Sequence, residues 1–247
     1  MRFTIGIDDT DQLGGPGTSH RASELAERLR YQHLAETESI TRHQLLTAPE
    51  ISYTKTNSSV CLVVAADPDN LEDLITTCRA FLVVESAPGS NPGLCVAAWV
   101  DVHENVQAFG EQATREVIAP ETAVEVARRH KIYLEGITGT GSGVIGALAA
   151  VGLRVQGQRG RFSWLPGLRE LSPGVYTVRE LLQQIPIDDI QSLEGISLPE
   201  EAGIEIGLWN RPVLKKGKSV LLVEKAKDGP PNVWHVVPKE IIKQRYG

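Results

Sequence analysis

The reading turns on Ile5-Gly6-Ile7-Asp8-Asp9-Thr10-Asp11 and the turn after it, Gly14-Gly15-Pro16-Gly17-Thr18-Ser19-His20. Phe3, Ile5 and Ile7 alternate with Thr4, Gly6 and Asp8, which is the period of a strand buried on one face. Three carboxylates, Asp8, Asp9 and Asp11, arrive where that strand ends. Ala22, Leu25, Ala26 and Leu29 then recur at helical spacing, so the stretch predicts strand, acidic cluster, glycine-rich turn and a helix from about 18 to 34.

Crowded carboxylates repel one another unless protons or a cation neutralise them. Oxygen ligands on a turn suit a hard ion such as Mg2+, which keeps several waters and binds substrate phosphates. The start of a helix beside small residues can hold a phosphate. Asp8, Asp9 and Asp11 are therefore the candidate metal ligands and, by holding the metal on the phosphates, candidate catalytic residues. Gly14, Gly15, Gly17, Thr18 and Ser19 are the candidate phosphate cradle of a magnesium-nucleotide site. The competing reading makes Asp8 and Asp9 turn formers and Thr18 or Ser19 a helix cap. A P-loop is excluded because no lysine precedes Thr18, and the glycine spacing is not that of a dinucleotide-binding turn.

Further along, Val60 to Ala65 reads as a buried strand, Asp67 to Asn70 as a helix start, and Leu94 to Val100 as a strand. Val83-Val84 reads as extended chain. Lys55, Asn57 and Asn91 lie in polar loops that would face a nucleotide; Asn in a loop is otherwise a turn residue. Pro120 and Glu121 open another helix. Gly141-Ser142-Gly143 then precede the Ala-rich run Val144 to Val151, read as a buried helix with a second set of backbone N–H groups for an anion. His20 is a speculative base and His43 reads as a surface residue. Arg159, Arg161, Phe162 and Trp164 form a basic-aromatic cluster, read first as a solvated strand with an anchored Trp. Lys215 to Lys218 reads as a hairpin tip, and the tail after Pro238 as a short helix.

The stretch Gly6 to Asp11 with Thr18-Ser19, together with Gly141-Ser142-Gly143-Val144-Ile145-Gly146-Ala147-Leu148-Ala149-Ala150-Val151-Gly152, resembles the archaeal agmatidine synthetase family, the tRNA-isoleucine agmatinylcytidine synthetases. Asn57 and Asn91-Pro92-Gly93 are weaker matches, and the resemblance covers about residues 1 to 160. It implies an α/β (α+β) chain with a kinase-like nucleotide domain over 1–110 and a ferredoxin-like domain over 111–200. Residues 201–247, where Ile204, Ile206 and Leu208 alternate and Val220 to Val223 reads as a strand, are expected to form a small β-rich appendage that does not match the further domains of the family. The resemblance also implies ATP and Mg2+ as cofactors, and Thr18 as a threonine phosphorylated during the reaction. In the family, ATP activates a cytidine so that agmatine can displace the phosphate; the acidic pocket that agmatine needs is not visible in the sequence.

Charge and composition limit the partners. The chain has 247 residues, 41% of them hydrophobic, with 25 basic against 31 acidic residues and a pI near 5.6. That balance weighs against a general nucleic-acid binder and so against RNA as a partner. Cys61, Cys78 and Cys95 read as buried free thiols in a reducing, cytoplasmic setting. The absence of cysteine after Cys95 rules out a zinc ribbon in this chain. No run approaches the roughly 20 apolar residues of a membrane span. The expectation is an ATP- and Mg2+-dependent phosphotransferase or ligase. The alternatives are a non-catalytic nucleotide-binding protein and a metal-dependent phosphohydrolase.

Overall fold

The computed structural model describes residues 1–51, 53, 56–225 and 232–246. Lys55, one of the residues expected to face a nucleotide, lies outside them. The fold is mixed α/β, as expected, and divides into two units, Met1–Gln156 and Gly157–Gly247.

In the first unit, β1 (Arg2–Asp8) leads to α1 (Thr18–Tyr31), β2 (Ala35–Gln44) and β3 (Ser58–Ala66). Next come α2 (Leu71–Glu85) and β4 (Gly93–Ala98). α3 (Glu104–Ala113), α4 (Pro120–Arg129), β5 (Tyr133–Gly136) and α5 (Val144–Gln156) complete the unit. The strands run in the order β5-β4-β1-β3-β2, every pair antiparallel. Residues 2–98 therefore carry the split βαβ arrangement of a ferredoxin-like sheet. The sequence had placed that topology in 111–200, but residues 120–156 instead add an edge strand and cover the sheet's second face.

Strand alternation divides β1 between two cores. Phe3, Ile5 and Ile7 are buried on the side where α1 packs. Gly6 and Asp8 face α5. Nine of the thirteen residues of α5 are buried, which its Ala- and Gly-rich sequence allows. The approach is close: a Cβ on Gly6 would stand 2.0 Å from the Ala147 carbonyl oxygen, and one on Gly152 2.2 Å from that of Val106. α3 packs along α5, with Gly110 of α3 against the Ala149 carbonyl.

Three local expectations fail. Val83 and Val84 belong to α2, because the buried stripe Leu74, Cys78, Phe81 and Leu82 carries the helix past them and leaves both on its solvent side. His43 is fully buried on β2, its Nε2 2.9 Å from Thr41 Oγ1. Arg161 is buried rather than solvated. The three cysteines are free and buried, as read.

The second unit contains β6 (Arg161–Trp164), β7 (Gly174–Thr177), α6 (Val178–Gln184) and β8 (Asp189–Ser192). It continues with β9 (Gly203–Ile206), β10 (Val213–Lys215), β11 (Lys218–Lys225), β12 (Val233–Val236) and α7 (Lys239–Tyr246). Its strands run β6-β10-β11-β12-β9-β7, with β8 parallel to β11. Lys216 and Gly217 both have positive φ, the conformation that suits a two-residue hairpin turn, so the expected tip lies where it was read. Thr177 and Glu180 cap α6 reciprocally. Phe162, Leu181, Ile190, Ile204 and Leu221 belong to one core cluster.

The close seat of α5 on β1 gives a direct test. Gly6→Ala should force helix and strand apart at a cost of about 1–3 kcal/mol, the range for overpacked cores. That lowers Tm by several degrees in a chain of this size. Gly15→Ala, where the nearest atom to the new Cβ is the Gln12 carbonyl at 3.6 Å, should leave Tm nearly unchanged. Thermal melts of the two variants check this.

Candidate active-site cleft

β1 delivers Asp8 to its end, and the chain turns at Asp9 in a left-handed conformation (φ 50°) that aspartate tolerates. Thr10 is buried beneath the turn. Its carbonyl accepts from the Ala87 amide at 3.0 Å and its hydroxyl donates to Thr18 Oγ1 at 3.2 Å. Gly17, not Thr18 or Ser19, is the cap residue of α1, and no side chain caps the helix. Thr18 is thus in the first helical turn with its hydroxyl at the end of β1, and the capping role that competed for it is not the one it has.

Asn91 ties this acidic turn to the second glycine-rich segment. Its Nδ2 donates to Asp9 Oδ2 at 3.1 Å. Its Oδ1 accepts from the backbone N–H of Thr140 at 2.8 Å and from the Thr140 hydroxyl at 3.0 Å. Its carbonyl accepts from Gly143 N at 3.1 Å. Glycine is required on the other side of this clasp. A Cβ on Gly143 would lie 2.3 Å from the Asn91 carbonyl oxygen, and one on Gly139 2.3 Å from Asn91 Oδ1. The first turn of α5 closes over the acidic turn, with Asp8 Oδ2 where a Cβ on Gly146 would stand.

These segments enclose a cleft of about 730 Å³. Asp8, Asp9, Asp11, Thr18, Asn57, Asn91, Ser142 and Gly143 line it. Gly14, Gly15, Gly17 and Gly141, in the turns that carry lining residues, do not, nor does Ser19 in the first turn of α1. Asn57 is occupied structurally, its Nδ2 donating to the Leu46 carbonyl at 2.7 Å. His20 is exposed and pairs with Glu24 at 3.3 Å, away from the lining. One wall is apolar, from Leu45, Ile51, Tyr53, Val117 and Ile118. The same segments also bring Glu50 and Glu116 to the lining.

The electrostatics follow from crowding. Burial raises the Asp8 carboxyl from its ordinary 3.8 to about 7, and the negative charges of Asp9 and Asp11 add to the rise. The Asp9 amide and the Arg42 guanidinium oppose it. Arg42, half-buried on β2, is itself lowered by burial, an effect offset by Asp11 and Asp8. It donates to the hydroxyl of Thr56, another lining residue. Sequence reasoning did not single out Arg42; its one signal was a cation inside an otherwise buried strand. Among the described residues, no three His, Cys, Asp or Glu groups are placed to hold one metal ion together. Asp8, Asp9 and Asp11 therefore do not form a closed ligand set. Nor is any described helix long and apolar enough to cross a membrane.

No family model matches the chain. The isoleucine-tRNA 2-agmatinylcytidine synthetase TiaS of Cenarchaeum symbiosum (strain A) is 30% identical over 152 residues, 61% of this chain and 33% of the relative. Among solved structures, a tRNA fluorescent labeling enzyme matches with a TM-score of 0.54 at 29% identity, over 62% of this chain and 36% of that one. A complex of TiaS with isoleucine tRNA and ATP matches with a TM-score of 0.54 at 28% identity, over the same shares. The chain thus spans about a third of the length of the relatives it matches, and the matched length is close to that of the first unit. Over that part of its length the chain is similar to TiaS, the isoleucine-tRNA 2-agmatinylcytidine synthetase.

Proposed function

We propose that the cleft of the first unit binds ATP with Mg2+ and transfers phosphate as one step of an ATP-dependent, tRNA-modifying ligation. The observation that carries this reading is the Asn91 clasp, which brings the acidic turn and the Gly-rich start of α5 to one cavity. Solved relatives include TiaS with isoleucine tRNA and ATP, and TiaS with isoleucine tRNA, AMPCPP and agmatine. Those partners support RNA as the acceptor here, although the chain's acidic balance weighed against it.

The residues fit a magnesium-nucleotide. Three mutually repelling carboxylates, one of them held protonated near neutrality, gain from a cation that neutralises them. Mg2+ takes one or two carboxylates and completes its shell with waters and phosphates, so no closed protein cage is needed. Asp8 and Asp9 would hold the ion, which when bound supplies charge neutralisation at the phosphates. Asp11 and Arg42 orient the acidic turn, and Ser142 and Gly143 meet the phosphates at the start of α5. The apolar lining residues Leu45, Ile51, Tyr53, Val117 and Ile118 take the base. The Thr18 hydroxyl, which lines the same cleft as Asp11 and is bonded to Thr10, is the protein's own acceptor of phosphate. Catalysis of this kind rests on positioning and electrostatics, which these groups supply.

The test is incubation with Mg2+ and γ-labelled ATP. Label should appear on the protein, vanish in Asp8→Asn and Asp9→Asn, and be absent from Thr18→Ala while ATP is still bound. Binding without label in the wild type would contradict phosphate transfer and leave a nucleotide-binding protein. Phosphate release that ignores Thr18 and any acceptor would make it a hydrolase.

Asn91→Ala should weaken ATP binding about tenfold, since it loosens both loops by removing the bonds to Asp9 and Thr140, each worth roughly 1 kcal/mol or more. Isothermal titration measures this. The raised Asp8 carboxyl fixes a sign for pH dependence. Between about pH 4 and 7 the folded protein keeps a proton that the unfolded chain has released, so Asp8's contribution to stability declines as pH rises through that window. Without nucleotide, Tm should fall from about pH 5 to about pH 7.5, and Asp8→Asn should flatten that fall.

A further inference from the structure

The second unit carries a charged corner that the cleft does not use. Residues 1–156 contain 12 basic and 20 acidic residues, whereas residues 157–247 contain 13 and 11, so the acidity of the chain resides in the first unit. The loop Gly207-Leu208-Trp209-Asn210-Arg211 leads into β10. Asn210 is buried and stitches it, its Nδ2 donating to the Gly207 carbonyl at 2.8 Å and its Oδ1 accepting from Gly207 N at 3.3 Å. The loop is thereby fixed in one shape with Leu208 at its tip, 95% exposed. The guanidinium of Arg211 lies over the Trp209 ring, 5.7 Å from its centre, and donates to the Asn210 carbonyl at 3.0 Å.

A second guanidinium converges on the same place. Arg169 donates to the Ser163 carbonyl at 3.3 Å; Ser163 is two positions after Arg161, whose register partner Val213 is two positions after Arg211. The two cations are close enough that Arg169 depresses the Arg211 guanidinium, after burial has done so first. Neither has a carboxylate partner among the described residues, although Glu200 and Glu201 elsewhere in this unit pair with Arg179. Two half-restrained planar forks that repel each other, beside a Trp and an exposed Leu, have the chemistry of a phosphate clamp with a stacking platform.

We propose that this corner holds a nucleic-acid strand, with Arg169 and Arg211 on its phosphates and Leu208–Trp209 against a base. A lipid surface is a poorer fit, because one exposed leucine offers little apolar area to bury in a bilayer. The proposal concerns the second unit and stands independently of phosphate transfer in the cleft.

The experiment uses the full chain and a fluorescein-labelled single-stranded RNA of about 16 nucleotides, the upper end of the site sizes of small single-strand modules. Anisotropy is followed across a salt series. Binding should weaken with salt, and Arg169→Gln/Arg211→Gln should reduce affinity about tenfold and flatten the log–log salt slope by about 1.4, two phosphate contacts at ~0.7 each. Leu208→Asp, at an exposed tip where folding is not at stake, should also weaken binding with its melt unchanged. ATP affinity should stay at the wild-type value in every variant. The proposal is overturned if the wild type does not bind, or if both variants bind as tightly as it does. It is equally overturned if only Asp8→Asn abolishes RNA binding, if poly-glutamate displaces the RNA at matched charge, or if phosphatidylglycerol vesicles bind more tightly than the RNA.

Discussion

Everything in the first unit depends on how closely α5 can lie on the sheet. Gly6 and Gly93 remove the side chains that would hold the helix off, Gly143 and Gly146 do the same from its side, and Gly152 admits α3 against its other flank. The contact buries most of a small-residue helix, and dispersion over so many close atom pairs favours it. Its functional consequence is positional. A helix seated that deeply brings its first turn to the end of β1, where three carboxylates have been delivered by a strand that has no other place to end.

The acidic turn is costly in isolation, and the structure shows how the cost is contained. Asp9 gives one oxygen to Asn91, Asp11 and Asp8 face Arg42, and Asp8 takes refuge in protonation near neutrality. Each of these is a partial compensation. A site left partly uncompensated toward its cavity is one that gains from a bound cation and the phosphates that accompany it. Apolar residues in the same lining, among them Leu45, Ile51 and Val117, add contacts that charge alone would not.

Much of this was legible because it is local. Alternation in β1, three acids at its end and a glycine-rich turn before a helix are patterns within a single short stretch, and the Gly-Ser-Gly run before an Ala-rich stretch is another. What was not legible depends on distant pairing. Asn91 stood out as a loop residue that would face a nucleotide, but its tie to Asp9 and Thr140, 82 and 49 positions away, did not. Arg42 sits in a strand whose neighbours, Thr41 and His43, are fully buried, and nothing in the sequence says that it faces an acidic turn. The division after Gln156 was missed for the same reason. The resemblance implied a second domain from residue 111, yet the helix of residues 144–156 packs into the core of the first unit. Val83-Val84 shows the opposite error, where β-branched character outweighed the buried stripe of α2.

The central claim is that the acidic turn, the start of α1, Asn91 and the start of α5 form one nucleotide site. Hydrogen–deuterium exchange with and without a non-hydrolysable ATP analogue and Mg2+ tests it most directly. Protection confined to residues 8–19, 89–93 and 137–146 together, and reduced at all three by Asn91→Ala, is the expected result. Protection at only one of these segments, or at none of them while the analogue is bound, would contradict the account.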